Sequence, residues 1–594
     1  MSYRRKKLLA LFCATALSMT AVAGCTGTKS STGNVVSSET ETNAEETSAQ
    51  SEAGSFSSAD MFTERDLART YEESGAVYVT LSGDGITGEM DGVAINGQTV
   101  TITAEGTYIF SGTLSEGQIV VDADNAKVQI VFDNVDITCA SSAAVYVKSA
   151  EKVFVTLAEG SQNTLRNTDE YVAIDDNNID AVIFAKSDLT LNGTGSLTII
   201  SAEGHGIVSK DDLKIIGGTY DITAAGHALS GKDSVRIADG TFILTAEKDG
   251  IHAENADDEE KGYIYIADGD FTITSDGDGM DASNIVQIED GTFDITAGGG
   301  AANSLKTHES DMPGGPGGGM PQNGEKLDGE SMPQMGEKPD GENMPQDTTT
   351  DESGTSTKGI KAGGSMYLNG GTYQIDSADD SIHSNANITI ADGTYTLATG
   401  DDGVHADDAL IVNGGTITVT ESYEGLEGLT VTINDGTIDI TASDDGINTA
   451  GEKMELNGGY IHILAGGDGV DSNGDLTING GEIYIDGPSD NGNSAIDYGD
   501  RSSAYVNGGM LVAIGSSGMA EGMSDSSKQK VLMVKLGEQM EAGNVVLTDS
   551  EGNVIVSYTA LKTYDCVIIS TAEVESGATY TLTTSGTTTE VTAE

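Results

Sequence analysis

Apolar and polar residues alternate with period two in short runs along most of this chain. No window of useful length carries the 3.6 period of a helix. Leu213 and Ile215 form one run, Tyr220 and Ile222 a second, and Leu229 opens a third. The same slots later hold Leu410/Val412, Ile417/Val419 and Leu426, then Val431/Ile433, Ile438/Ile440 and Ile447. A glycine divides the first two runs in each copy, at Gly218, Gly240, Gly269, Gly291, Gly371, Gly393, Gly415, Gly436, Gly459, Gly481 and Gly509. The repeat is about 22 residues, with longer steps where segments are inserted. Three short strands per repeat predict one coil of a parallel β-helix, a solenoid whose units bury their apolar side against their neighbours. The chirality of parallel crossovers favours the right-handed form. Tyr220, Phe242, Phe271, Phe293, Tyr373 and Tyr395 follow the glycine at the inward phase and predict a stacked core ladder.

The pattern is less regular outside 201–525. Residues 59–200 read as an N-terminal cap and the first coils. Residues 526–594 carry strand-like runs such as Val554–Tyr558 and Cys566–Ser570 between Gly, Asp and Ser turns, predicting a small antiparallel β domain that also covers the last coil. Asp278 and Lys358 occupy equivalent slots 80 residues apart, which places an insertion at about 301–357. Six of the seven prolines lie there among Met-Pro and Gly-Gly pieces, a composition that predicts disorder.

At the amino end, Arg4 to Lys7 precede an apolar stretch from Leu8 to Val22. That stretch is short for a membrane span and reads as a targeting segment. The ending Val22-Ala23-Gly24-Cys25 resembles the lipobox of bacterial lipoproteins. Residues 1–24 are therefore expected to be a signal peptide, Cys25 to carry lipid, and 25–58 to be a disordered tether. The expected location is the extracellular face of the bacterial membrane, as a monomer. Cys139 and Cys566 fall in different expected domains, so a disulfide framework is not the stabilising device, and both read as buried thiols.

A second signature overlies the coil: an acidic turn followed by glycine and an aliphatic residue, as in Asp401-Asp402-Gly403-Val404. Aligned by period, one position reads Asp249, Asp278, Lys358, Asp380, Asp402, Glu424, Asp445, Asp468, preceded by His205 and His227. Three residues further on stand His252, Asp281, Lys361, His383, His405, Glu427, Asn448 and Asp471. Asp379, Asp401 and Asp444 add carboxylates just before the pair. Coils stack at about 4.8 Å, so these side chains form columns. Unit charges that close repel by roughly 3 kcal/mol at an effective dielectric of 20, so a column needs cations or protons. Calcium fits: its ligands lie about 2.4 Å out, so one ion bridges two stacked oxygens. The expected ligands are Asp379, Asp380, Asp401, Asp402, Glu424, Asp444, Asp445, Asp468 and Asp471. Zinc suits an oxygen-rich stripe less well, although His252, His383 and His405 leave a transition metal open. The simpler alternative is that each Asp bonds its own turn amides.

The formal charge of −66 disfavours nucleic acid and anionic membrane surfaces as partners and favours cations. There is no Trp for a sugar platform. Tyr423, Tyr263, Tyr265 and Tyr498 are the candidates for sugar stacking. Lys358 and Lys361 interrupt the acidic column and are candidates to contact a uronate, or to act as a base, or simply to relieve repulsion.

The run Met61-Phe62-Thr63-Glu64-Arg65-Asp66-Leu67, the piece Ser422-Tyr423-Glu424-Gly425-Leu426-Glu427-Gly428 and the following Ser443-Asp444-Asp445-Gly446-Ile447-Asn448 resemble a clostridial family of exported carbohydrate-binding β-helix proteins. The resemblance covers most of 59–515. It implies a right-handed parallel β-helix that binds calcium and plant cell-wall polysaccharides, including cellulose and polygalacturonate. That family is in turn similar to a pectate-lyase family. The expected function is extracellular, calcium-dependent binding of an acidic plant cell-wall polysaccharide (polygalacturonate or pectin) or of cellulose. The alternatives are a lyase acting by β-elimination, for which no stretch matches well enough to carry over a catalytic residue, and a surface adhesive or structural protein.

Overall fold

The computed structural model describes residues 55–83, 85–87, 91–172, 175, 177–306, 356–499 and 501–593. The leader, Cys25 and most of the tether lie outside the described residues, as do residues 307–355 of the insertion.

The described chain is all-β apart from two short 3-10 turns. Within the regular coils each strand pairs in parallel with the strand one coil later, which builds three ladders. In one coil the first strand is Leu229–Gly231, the second Ser234–Ile237 and the third Thr241–Ala246. These pair respectively with Ile251–Ala253, Tyr263–Ile266 and Asp270–Ser275. The solenoid starts with the strand pair Val77–Gly83 and Gly106–Leu114.

Period-two alternation gives each third strand an exposed and a buried face, as in Thr219–Ala224. Its buried face carries the aromatic ladder. Successive ring centroids from Tyr220 to Tyr395 lie 5.2, 4.7, 4.9, 4.8 and 4.6 Å apart. The in-register pairing imposes this near-parallel stacking, which free rings would offset. The three tyrosine hydroxyls in the ladder each bond a carbonyl of the turn before them, as Tyr220 does to Gly217 at 2.9 Å. Gly240 shows why the turn needs glycine: φ is 147°, and a Cβ there would sit 2.8 Å from the Phe242 ring. After Tyr395 the ladder turns aliphatic with Ile417 and Ile438. Outside, Asn413, Asn434, Asn457, Asn479 and Asn507 form an amide ladder of 2.8–2.9 Å bonds.

The last coil strand, Met510–Gly515, pairs in parallel with Glu482–Asp486 and antiparallel with Tyr564–Ser570. Val531–Met540 adds to that edge. The strands Gly543–Thr548, Val554–Ala560, Thr579–Thr583 and Thr588–Thr592 form a separate antiparallel sheet with its own core. Cys139 and Cys566 are both buried free thiols, and burial raises each to about 11.

The structure departs from expectation at two places. Residues from 55 on, expected in the tether as far as 58, instead begin a strap that runs backward over the outer face of the second ladder. Phe56 exchanges hydrogen bonds with the Gln287 side chain, 2.6 Å from its amide and 3.0 Å to its carbonyl. The Met61 carbonyl accepts from Arg236. Asp66 is fully buried between Lys152, 2.5 Å away, and Thr190. Ala68 and Thr70 accept from Asn192 and Gln129. This strap covers Tyr263 and Tyr265, which pack with Phe56, Met61 and Phe62. The two tyrosines are therefore not a sugar platform: their rings are strap contacts.

The second departure is at the insertion. Its first residues, 301–306, fold back onto the coil. The Ala301 amide donates to Asp376 and the Ser304 hydroxyl to the Gly400 carbonyl.

Candidate cation and carbohydrate site

The acidic signature occupies the corner between each third strand and the first strand of the next coil. Its glycine is there for close stacking. A Cβ at Gly403, Gly425 or Gly446 would lie 2.3–2.5 Å from the carbonyl oxygen of the next coil's glycine. The aliphatic residue after it, such as Val404, Leu426 or Ile447, is fully buried.

The aspartates of this column use their two oxygens differently. Oδ1 accepts the backbone N–H of the equivalent residue one coil later. Asp249 accepts from Asp278 at 2.9 Å, Asp278 from Lys358 at 2.6 Å, Asp380 from Asp402 at 3.2 Å, Asp402 from Glu424 at 3.2 Å, and Asp445 from Asp468 at 2.7 Å. Asp468 does the same for Ser494. The amides at this corner thus find their acceptor in the neighbouring coil rather than in their own turn. Lys358 cannot accept, and there the Asp380 amide turns to Asp379 Oδ1 at 2.9 Å.

Oδ2 faces a cation in the upper coils. Asp380 Oδ2 lies 2.7 Å from Lys358 Nζ and 2.8 Å from His383 Nδ1. Asp402 Oδ2 lies 3.0 Å from His405 Nδ1, which is also 2.9 Å from Glu427. Lys361 lies 3.4 Å from Asp278 and 3.3 Å from Asp281. Asp379 and Asp401 share Lys306, and Lys358 reaches Asp379 as well. Burial opposes charge on Lys306, Lys358 and His405, but the surrounding carboxylates outweigh it and raise all three. Asp380 is correspondingly held well below the usual carboxylate range, its burial outweighed by Lys358 and His383. Lys361 is raised too, so neither interrupting lysine is poised as a neutral-pH base. Relief of carboxylate repulsion is what the contacts of Lys358 and Lys361 accomplish.

The lower coils differ. Asp445, Asp468 and Asp471 bring ligand oxygens within 4.8 Å of one another. Among the described residues, no Lys, Arg or His forms an ion pair with any of them or with Asp444. Burial first, and neighbouring carboxylates second, raise Asp445 to about 8, Asp468 to about 7 and Asp471 to about 6. Glu424 is raised well above its usual range for the same reasons. Between them, Asn448 gives its amide to Glu424 at 2.8 Å, while its buried Oδ1 has no hydrogen-bond partner. Gly467 leaves the space in which Asp444 and Asp445 sit: a Cβ there would be 2.2 and 2.4 Å from their Oδ1 atoms. Clustered hard oxygens and an orphaned carbonyl suit calcium chemically.

The nine acids expected as ligands therefore fall into two sets. Asp379, Asp380, Asp401 and Asp402 are met by the chain's own cations, whereas among the described residues no ion pair is made by Glu424, Asp444, Asp445, Asp468 or Asp471. Lys306 carries no signal in the sequence, because it sits at the root of the Pro-rich insertion, outside the repeat. Tyr423 is half-buried between the sets; its amide donates to the Asp401 carbonyl and its carbonyl accepts from Asp444. Tyr498 is also half-buried, with its hydroxyl on the Gly522 carbonyl at 2.7 Å. A groove of about 430 Å³ opens at the insertion root, lined by Asn303, Leu305, Lys306, Thr357 and Asp379.

A family model described as a carbohydrate-binding domain-containing protein matches residues 96–403 and 401–580, which is most of the solenoid and part of the C-terminal sheet. The chain belongs to this carbohydrate-binding family. A relative of the same description from Acetivibrio thermocellus is 40% identical over 136 residues, 22% of this chain and 48% of the relative. The match thus spans about half the length of that relative. A solved structure described as a polysaccharide lyase-like protein from C. thermocellum, in a gadolinium derivative, is 37% identical. It covers 37% of this chain and 91% of that one, with a TM-score of 0.36. In this family member, the acidic corner runs through both matched segments.

Proposed function

We propose that this protein binds an acidic polysaccharide of the polygalacturonate type through calcium held by Asp444, Asp445, Asp468 and Asp471, with Glu424 and Asn448 beside them. The observation that carries the reading is the second oxygen of Asp445 and of Asp468. In the upper coils the equivalent oxygen meets a lysine or histidine; at these two positions no such group meets it among the described residues. Bound calcium would neutralise this cluster and offer remaining coordination positions to uronate carboxylates. The protein's own residues fix the oxygens in register, one coil apart. Without a cation, an acidic corner repels an acidic polymer. Tyr423, half-buried next to this set, is the sugar contact in this reading. With Cys25 lipidated, the coil would work at the outer face of the cell membrane.

Pull-down on immobilised polygalacturonate tests this, in calcium and in excess EDTA, for the natural chain and for Asp445→Asn and Asp468→Asn. Asn keeps the Oδ1 acceptor that the next coil needs and removes only the charge. Binding in calcium, and its loss in EDTA and in both variants, is the expected result. Retention of full binding in EDTA would overturn calcium bridging.

A further inference from the structure

Upstream of the insertion the face formed by the first strands changes from acidic to cationic. Lys186, Lys210 and Lys232 each follow the first strand of successive coils. Their amides donate to Val147, Ala185 and Ser209 of the coil before, at 3.0, 2.8 and 2.9 Å, so the three side chains leave the backbone in one column. Lys248 stands at the other end of the strand, just before Asp249, and all four lysines are exposed. His205 and His227 occupy that same end one and two coils earlier, stacked with centroids 4.9 Å apart and planes within 5°. We propose that Lys186, Lys210, Lys232 and Lys248, with His205 and His227, form a calcium-independent subsite for the carboxylates of a linear acidic polysaccharide. This rests on the polyuronate reading above and extends it to the upstream coils.

The first support is the lack of counter-charges. The chain has 95 Asp and Glu against 29 Lys and Arg. Yet among the described residues Lys186, Lys232 and Lys248 make no ion pair, and Lys210 makes one, to Glu254 at 3.3 Å, with both side chains 38% exposed. Stacked like charges repel here as they do in the acidic corner, and a bound polyanion relieves them. The second is the tautomer of the two histidines. His205 Nδ1 accepts the His227 amide at 2.8 Å and His227 Nδ1 accepts the Asp249 amide at 3.2 Å, the task that Asp Oδ1 performs in later coils. Each neutral ring therefore carries its proton on Nε2, which donates to no group among the described residues. Burial first, then His227, Lys248 and Lys210, lower His205 to about 3, so it stays a neutral donor. The carboxylates nearby are engaged or suppressed. Asp249 and Asp281 lie 3.1 and 3.4 Å from His252 Nδ1. Burial opposes the charge of His252, but these two acids outweigh it and raise the ring to about 9. Burial also raises Asp180. Finally, the column extends over three coils along the solenoid, which suits a chain of spaced carboxylates better than one small anion.

The test is amine-reactive labelling of the full chain, read lysine by lysine by mass spectrometry. It is run with and without polygalacturonate, in calcium and again in EDTA at low ionic strength. In calcium the polymer should slow labelling of Lys186, Lys232 and Lys248 by roughly threefold or more. Lys528, exposed near the C-terminal strands, should keep its rate. A chain carrying Lys186→Gln, Lys232→Gln and Lys248→Gln, checked for folding by thermal melting, should bind about tenfold more weakly in calcium. Its binding should also depend less on salt, with the need for calcium unchanged. Unaltered labelling of the three lysines in both conditions overturns the subsite. Full binding by the triple variant overturns it too and leaves the calcium reading standing. Protection that persists in EDTA, in a chain whose binding calcium does not improve, keeps the subsite and sinks the calcium reading instead. Protection by vesicles of anionic phospholipid, and not by the polymer, would assign the patch to a membrane surface and overturn the proposal.

Discussion

At the scale of single residues, the corner aspartates serve structure and charge with different atoms. Asp445 Oδ1 is committed to the Asp468 amide, and only Oδ2 remains for a cation. This separation makes its contribution to stability depend on pH in a defined direction. Asp445, Asp468 and Asp471 bind protons more tightly in the folded chain, at about 8, 7 and 6, than an unfolded carboxylate does. The folded state therefore holds more protons between about pH 4 and 8, and stability falls as pH rises through that window. Melting temperature in EDTA should drop from pH 5 to pH 8, and calcium should restore it at pH 8 far more than at pH 5. Asp445→Asn should flatten the EDTA profile. Asp445→Ala should instead destabilise at every pH, by about 1–3 kcal/mol, because the Asp468 amide loses its acceptor. A melting temperature that climbs with pH in EDTA would contradict this. The acids themselves are plain in the sequence. Which of them has a cation is not, since Lys306 reaches Asp379 and Asp401 from a segment without any repeat to align it.

At the scale of elements, the strap is the feature that period-based reading misses. Its partners lie up to 231 positions away, so no local pattern announces them. One clue is available: Tyr263, Tyr265 and Gln287 stand at the outward phase of second strands and are nonetheless buried. Large aromatics there signal a cover, but a bare pattern of rings suggests a ligand platform equally well. Asp66 pins the strap, held at about 2 because Lys152 and Thr63 outweigh its burial. A depressed carboxylate contributes stability that is complete above its unfolded value near 4 and lost as pH falls toward 2. Asp66→Ala leaves Lys152 and Lys214 without their buried partner, which costs about 3–5 kcal/mol. Limited proteolysis should then cut within 55–72 while the coils resist. Unchanged protection of that stretch in the variant would show that Phe56 and Met61 hold it unaided.

At the scale of the whole molecule, the fold is legible because one period governs it. Gly218, Gly240 and their successors, with Tyr220 to Tyr395 behind them, already specify three strands per coil and a continuous core. The C-terminal strands are legible as antiparallel, but their attachment is not, because Tyr564–Ser570 pairs with Met510–Gly515 over three intervening strands. That pairing covers the final coil's open edge, and an exposed edge templates association. A chain ending at residue 525 should therefore self-associate, seen as concentration-dependent growth in light scattering, whereas the full chain should not. A monodisperse truncated chain would show that the last coil tolerates exposure.

The carboxylate-to-amide bond passed from one coil to the next has a consequence for how such a chain can change over generations. The coils of Asp249, Asp380, Asp402 and Asp445 each hand on the same bond, so a tandem duplication or deletion of such a repeat leaves its neighbours correctly matched. The length of the acidic corner can then be adjusted by copy number, one coil at a time, with no new residue invented.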